Sequence, residues 1–303
     1  MRGIDIYNGT GKVDFNAVKT AGYDFVMIKA GEGHTLADKS LSRNLTDAAA
    51  AGLHTGVYHW FWGRSGTETQ QEIDFFLKTI RGCKMKMPVA LDVEQSELLQ
   101  LDKSELTTYI KQWLDGVKAA GYYPILYANK NWLVNYIDMT RLLDYDIWLA
   151  QYNDRITYTG PGNIGMWQYT STGKVPGVRG GTGNCDINEC YRDYPSIIRA
   201  GGWNNYSKSN TAPDVSWDTK EKRLKVGASY AALCTVRNTD ERAAVRVDKP
   251  EICAIERMGP DYTARSGLVG GLYTITAIAP GEARVIASLD GQDSASFPVY
   301  VEV

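Results

Sequence analysis

Cysteine, histidine and phenylalanine are the scarce residues of this 303-residue chain, and each scarcity removes a class of protein. Five cysteines (Cys83, Cys185, Cys190, Cys234 and Cys253) are too few and too scattered to staple a small disulfide scaffold. None stands in a Cys-x-x-Cys pair, which removes a zinc ribbon. Bridges are open for Cys185 with Cys190 and for Cys234 with Cys253; buried thiols are the plainer reading. The three histidines are His34, His54 and His59. His54 and His59 differ in strand parity, so they do not face one ion together, and a zinc amidase loses support. His59 is expected to make a structural hydrogen bond within the mouth of the fold. No metal or other cofactor is expected.

Excess charge is also missing. The formal net charge is −2, and neither residues 1–213 nor the remainder is basic, so nucleic acid is not an expected partner. No apolar stretch is long enough to insert in a membrane. The opening "MRGIDIYNG" has no apolar signal segment and enters a strand almost at once, so a chain made without a signal, or one already relieved of it, is expected.

Tyrosine and tryptophan, by contrast, are plentiful: 19 and 8 against 6 phenylalanines. Rings with a polar tip suit wet, amphipathic ligands such as sugars.

Through residue 200, apolar strand-like runs alternate with helical spacing. Strands are predicted at 3–7, 23–30, 54–62, 87–94, 123–129, 146–152, 164–169 and 185–188. Helices are predicted at 14–22, near 38–51, at 67–82 behind a Thr cap, at 102–120 behind Asp102 or Ser104, and near 130–138. The last three strands are joined by Gly- and Pro-containing loops. Such alternation predicts an α/β fold, a closed parallel barrel of the (β/α)5(β)3 kind, over residues 1–203. A polar linker follows at 204–214. Short alternating runs over 215–303 then predict a small all-β sandwich.

The stretch "VALDVEQ" (89–95) carries the chemistry. A buried strand ends in Asp92 and Glu94, two residues apart and therefore on one face. Buried acids are costly unless paired or used. Asp5 and Asp186 stand near other strand ends, so all four are placed at the mouth of the barrel. Helix caps or rim salt bridges account for any one of them; four at one rim fit glycoside cleavage better. That reaction needs one protonated acid for the leaving oxygen and a second group to stabilise the anomeric cation. Like charges on one face help keep one acid protonated, and the longer reach of Glu94 makes it the candidate proton donor. Tyr7, Tyr58, Trp60, Trp62, Tyr127, Trp148, Tyr152, Trp167 and Tyr169 cluster near the predicted strand ends. Of these, Tyr58, Trp60, Tyr127 and Trp148 are the expected substrate-stacking residues, with Gln168 and Asn129 reading polar groups. "GVRGGTGNCD" (177–186) is Gly-rich without the strand–helix setting of a phosphate loop and is read as a flexible approach to Asp186.

At these residues the sequence resembles a known family. "GIDIYNGTGKVDFNAVKTAGYDFVMIKAGEG" (3–33), "GVYHWF" (56–61), "VALDVE" (89–94), "LYAN" (126–129), "WLAQY" (148–152) and "MWQYTSTGKVPGV" (166–178) with "CDINEC" (185–190) are similar to glycoside hydrolase family 25, the lysozymes of phages and bacteria. The resemblance implies a modified barrel with five helices. It implies hydrolysis of the β-1,4 bond between N-acetylmuramic acid and N-acetylglucosamine, with peptidoglycan glycan strands as partner. The family's acidic positions fall on Asp5, Asp92, Glu94 and Asp186. Its Asp-x-Glu pair resembles that of hexosaminidases whose substrate's own N-acetyl group attacks the anomeric carbon. By that analogy Glu94 is general acid and then base, Asp92 orients the acetamido group with help from Tyr127, and Asp5 and Asp186 tune the pair. "HWFW" (59–62) departs from the family's single aromatic followed by smaller residues, which bears on the shape of the groove. "YTITAIAPGEARVIASLDG" (273–291) resembles bacterial immunoglobulin-like domains of group 2, implying attachment to cell-wall carbohydrate or a passive spacer. Together these imply an enzyme of the cell wall, either a phage or prophage endolysin exported by other means or a host autolysin trimmed of its signal. The rival reading is a barrel that holds glycan without cutting it.

Overall fold

The alternation of apolar and small residues along each strand sets the architecture, because every second side chain must fill the inside of a barrel. A computed structural model describes residues 1–208, 213–238, 242–263, 269–289 and 291–303, in two compact units, Met1–Lys208 and Ser209–Val303. The first unit contains β1 (Arg2–Ile6), β2 (Phe25–Glu32), the two-residue β3 (Leu36–Ala37), β4 (His54–Trp60), β5 (Val89–Asp92), β6 (Pro124–Asn129), β7 (Asp146–Ala150), β8 (Asn163–Gly173) and β9 (Cys185–Cys190). Its helices are α1 (Phe15–Thr20), α2 (Leu41–Ala50), α3 (Gly66–Thr79), α4 (Lys103–Ala119) and α5 (Tyr194–Gly201). The strands close in the order β1-β2-β4-β5-β6-β7-β8-β9, with β9 pairing back to β1 and β3 folded onto the end of β2. This is the expected eight-strand barrel, with one departure. β9 runs antiparallel to both neighbours. A parallel return needs a crossover of a dozen or more residues, usually a helix, and the 174–184 connection has none.

Packing forms two layers. Inside the barrel lie Phe25, Met27, Ala90, Ile125, Trp148 and Met166. Two glycines make this interior possible. A Cβ on Gly3 would sit 2.4 Å from the Phe25 ring, and one on Gly56 would sit 2.6 Å from Met27 Sδ. Outside, α3 and α4 bury Phe76 and Trp113 against the strands, their rings 4.9 Å apart. Removing such a ring costs about 3–5 kcal/mol. The exposed Lys111–Asp115 pair on α4 belongs to a class worth about 0–1 kcal/mol, so the coat is held by its apolar seam.

His59 belongs to this outer layer. Tyr58 and Trp60 face inward, so position 59 must face the helices; its ring is fully buried, stacks on Trp113, and its Nε2 lies 2.9 Å from Glu72 Oε2. The expected hydrogen bond exists, but between barrel and helices rather than in the mouth. Local capping also differs in detail. Ser65, not Thr67, caps α3 by accepting from Glu68 N at 3.1 Å. Asp102 caps α4 in a reciprocal box with Glu105. Cys185 and Cys190 occupy the two ends of β9, about 16 Å apart at strand rise, and both thiols are free.

α5 closes the bottom of the barrel, placing Tyr194 and Ile198 in the interior cluster. The following residues are fastened there rather than leaving as a linker. Asn204 is fully buried; its Nδ2 donates to the carbonyls of Met85 (3.1 Å) and Met87 (3.0 Å), and its Oδ1 accepts from Tyr123 N at 2.9 Å. Both Asn204 (φ 54°) and Asn205 (φ 67°) take the left-handed conformation that asparagine tolerates best after glycine.

The second unit contains β10 (Asp214–Trp217), β11 (Lys222–Lys225), β12 (Ser229–Arg237), β13 (Ala244–Val247), β14 (Cys253–Thr263), β15 (Val269–Ala277), β16 (Gly281–Leu289) and β17 (Gln292–Glu302). Two four-stranded sheets, β10-β12-β15-β14 and β11-β17-β16-β13, bury Ala232, Ile275, Val285, Phe297 and Val299 between them, with Trp217 edge-on to Phe297 at 5.2 Å. Cys234 lies opposite Gly271 of β15 and Cys253 opposite Ala277, so six residues of strand separate the free thiols and no bridge is possible. Among the described residues, no helix is long and apolar enough to cross a membrane.

Asn204→Ala is expected to destabilise the barrel unit by about 3 kcal/mol, through three lost hydrogen bonds and an alanine forced to positive φ. Asn205→Gly, which keeps that conformation accessible, should cost under about 1 kcal/mol. Urea unfolding followed by tryptophan fluorescence checks this, since seven of the eight tryptophans lie in residues 1–208. Equal small losses would show that the Asn204 side chain does not hold the segment.

Candidate active site

The C-terminal ends of the barrel strands bring the four predicted acids to one cavity of about 340 Å³. Asp5 is the inward residue of β1 and pairs in register with Asp186 on the antiparallel β9. Asp92 ends β5, flanked in register by Trp60 of β4 and Tyr127 of β6. Glu94 lies two residues past the strand end, half-buried, and lines the same cavity. The parity argument for Asp92 and Glu94 therefore holds although the strand stops between them.

Asp5 is the most firmly held. Its Oδ2 accepts from Gln168 Nε2 at 2.9 Å and from Asn188 Nδ2 at 2.8 Å. Each amide is itself oriented by aromatic donors. The hydroxyls of Tyr127 (3.0 Å) and Tyr152 (2.9 Å) donate to Gln168 Oε1, and Trp148 Nε1 donates to Asn188 Oδ1 at 2.8 Å. A buried polar network is stabilising only when its members are satisfied, and this one is. Asp92 is the contrast. Its Oδ1 is buried and accepts no hydrogen bond from the described residues, and the indole Nε1 of Trp60 beside it donates none. Native proteins rarely leave such atoms unpaired without a use for them.

Electrostatics follows from burial and crowding. Burial pushes the Asp92 carboxyl well above the usual carboxylate range, and the Glu94 charge adds to that, while the Lys29 ammonium works the other way. Burial also raises Glu94, helped by Asp186 and opposed by Lys29. Burial alone lifts Asp186 to about 6. Asp5 is raised by burial and then by Asp186, partly offset by its bonds from Asn188 and Gln168. The phenols of Tyr58 and Tyr127 are pushed well up, chiefly by burial and next by the nearby carboxylates, so they stay protonated donors. The site is thus a set of acids that keep protons at pH values where exposed carboxylates lose them.

Of the expected substrate contacts, Tyr58, Trp60, Tyr127, Trp148 and Gln168 line the cavity, and Tyr7 and Tyr152 join them, each about half exposed. Asn129 does not. At the last residue of β6 its Oδ1 is taken by Trp132 N at 3.2 Å, where the chain turns into a helical segment. Within "HWFW", Phe61 is fully buried, Trp60 forms the wall, and Trp62 packs against Gly33 with 36% of its surface exposed. Two lining or supporting residues went unpredicted, Lys29 and Asn188. Both were readable from alternation: Lys29 shares parity with inward Phe25 and Met27, and Asn188 with Asp186.

The sequence model of Glycosyl hydrolases family 25 matches residues 4–178, which include Asp5, Asp92 and Glu94. The autolytic lysozyme of Clostridium acetobutylicum is 32% identical over 189 residues, covering 62% of this chain and 55% of that protein, so this chain spans about half the length of that relative. Among solved structures, the CTP1L endolysin superposes with a TM-score of 0.58 at 27% identity, over 74% of this chain and 72% of that one. A bacterial lysozyme from Streptomyces coelicolor gives a TM-score of 0.57 at 25% identity, over 68% of this chain and 97% of the other. A barrel of this topology, acids gathered at its C-terminal mouth and a family match over more than half of the chain lead to one assignment: the protein belongs to Glycosyl hydrolases family 25.

Proposed function

We propose that the protein is an N-acetylmuramidase acting on the cell wall, cleaving the β-1,4 bond between N-acetylmuramic acid and N-acetylglucosamine in peptidoglycan glycan strands. The observation that carries this reading is Asp92 Oδ1, a buried acceptor with no partner among the described residues, beside the proton-holding Glu94 in an open aromatic cavity. The names of the matched proteins, an autolytic lysozyme, an endolysin and a bacterial lysozyme, support the substrate class.

Glu94, kept protonated by burial and by Asp186, gives its proton to the glycosidic oxygen as the bond to the anomeric carbon breaks. The acetamido oxygen of the same sugar attacks that carbon, and Asp92 Oδ1 accepts a hydrogen bond from the acetamido N–H. Tyr127, beside Asp92 in register and held by its bond to Gln168 Oε1, presents its hydroxyl oxygen to the acetamido group. Glu94, now a carboxylate, takes a proton from the water that opens the ring intermediate, which gives retention of configuration. Asp5 and Asp186 set the charge of the pair, and Trp60, Trp148 and Tyr58 form the apolar walls against which sugar faces pack. The second unit, by its resemblance to bacterial immunoglobulin-like domains, is assigned to wall attachment.

Glu94→Gln is expected to lower cleavage of purified peptidoglycan by about a thousandfold, read as turbidity loss and new muramic-acid reducing ends. Wild type that leaves several purified walls intact would turn the reading toward glycan binding without catalysis.

Asp92→Asn tests the opposite side of the same site. Burial and the Glu94 charge raise the folded-state pKa of Asp92 well above the usual 3.8, so the group contributes stability that is fully present below that value and is lost as pH rises through the folded value. Replacing the buried Asp92 carboxyl should therefore stabilise the protein at pH 7, by about 1 kcal/mol, with the advantage vanishing toward pH 4. Activity should fall about a hundredfold in parallel. Urea unfolding of both proteins across this range reads the first effect; an advantage that grows on acidification would contradict it.

A further inference from the structure

Lys29 is the one cation among the described residues that line the catalytic cavity. It stands on β2 opposite Tyr58, and it faces the carboxylates Asp5, Asp92, Glu94 and Asp186 across the mouth. The phenols facing the same space are Tyr7, Tyr58, Tyr127 and Tyr152. From its own strand the ammonium meets Glu32, with which it forms an ion pair. It also lies over the Trp60 ring, 4.7 Å from the centroid. Its side chain is only 12% exposed, against 28% for Glu32.

The ion pair depends on an irregularity in the sheet. Residues three apart on a regular strand point to opposite faces, so Lys29 and Glu32 should not meet inside the barrel. Between Lys29 and Gly31 the register with β4 slips by one residue, so that Lys29 aligns with Tyr58 and Glu32 with Trp60, both inward positions. The bulge turns Glu32 back to the inside, beside the lysine. Bulges next to active sites re-aim side chains in this way. A half-buried ammonium is thereby clamped on two sides, by a carboxylate and by an aromatic face that attracts cations. Positive charge at that point favours ionisation of both Asp92 and Glu94 and opposes the burial that would leave both protonated.

We propose that Lys29, clamped by Glu32 and Trp60, is a positioning residue that keeps the Asp92–Glu94 pair in its one-proton state, an inference that rests on the hydrolase reading above. The test uses the full chain and the pH dependence of initial cleavage rate at limiting peptidoglycan. Lys29→Met removes the cation and should move both limbs of the profile to higher pH, lowering the rate on the acid limb about tenfold or more. Lys29→Arg keeps the charge and should return the limbs toward their wild-type positions. Glu32→Gln removes the counter-charge, so the unneutralised ammonium acts more strongly and the limbs should move to lower pH. A structural role predicts reduced rates at unchanged limb positions, and that result, or limbs moving the same way in Lys29→Met and Glu32→Gln, overturns the proposal. Glu32→Gln alters a partly exposed side chain and keeps the test available should Lys29→Met fold poorly. Carboxyl 13C NMR titration of labelled Asp and Glu in the same proteins reads the charge state without turnover. If wild type cleaves no wall, the hydrolase reading fails; if it cleaves but Lys29→Met titrates as wild type does, only the role of Lys29 fails.

Discussion

Four carboxylates share one small mouth, and their mutual repulsion in a poorly hydrated space is the constraint to which the rest of the barrel answers. Asp5 and Asp186 stand directly opposite each other on paired strands, a placement that ordinarily disfavours pairing. It persists because Asp5 is met by two amide donors whose own oxygens are held by tyrosine and tryptophan donors. Those donors are themselves interior residues, so the same rings that fill the barrel also fix the acids. Asp92 receives no such support, which leaves it reactive toward a ligand and expensive to the fold.

That expense is met elsewhere. The helices are fastened to the strands by a seam of buried aromatic and aliphatic side chains, with Trp113 and Phe76 at its centre, and His59–Glu72 is the polar pair embedded in it. Glu72 also accepts from Trp62 N at 3.0 Å, so the outer layer sets the path of the chain just after the Trp60 wall. At the opposite end, α5 and Asn204 seal the floor. The barrel is thus closed below and open above, at the acidic cavity.

Much of this was legible in the chain itself. Period-two alternation located the strands, and the abrupt acids after "VAL" located the mouth, because both depend on short-range geometry. The short helix α5 went unread although it carries an Asp cap, a proline at its start and Gly202 at left-handed φ; eight residues give too little periodicity to register. Asn129 lies outside the cavity lining because strand parity does not show which end residue the next helical turn will recruit. His59 was assigned to the mouth, though its inward neighbours 58 and 60 put it on the helix side of the sheet. Glu32 was hidden by the bulge, which changes parity after Lys29 and leaves no mark in the hydrophobic pattern, whereas Lys29 itself keeps the parity of Phe25 and Met27. The reversed direction of β9 could be inferred only from the lack of a crossover helix before it.

The antiparallel final strand of the barrel also governs when the acidic site is complete. The Asp5–Asn188 bond joins groups 183 positions apart, so it forms only when the first and last strands of the barrel come together. Such high contact order makes closure a late, slow event in folding. A ribosome that has released the chain only as far as β8 holds a barrel in which Asp5 still lacks its Asn188 donor and the facing Asp186.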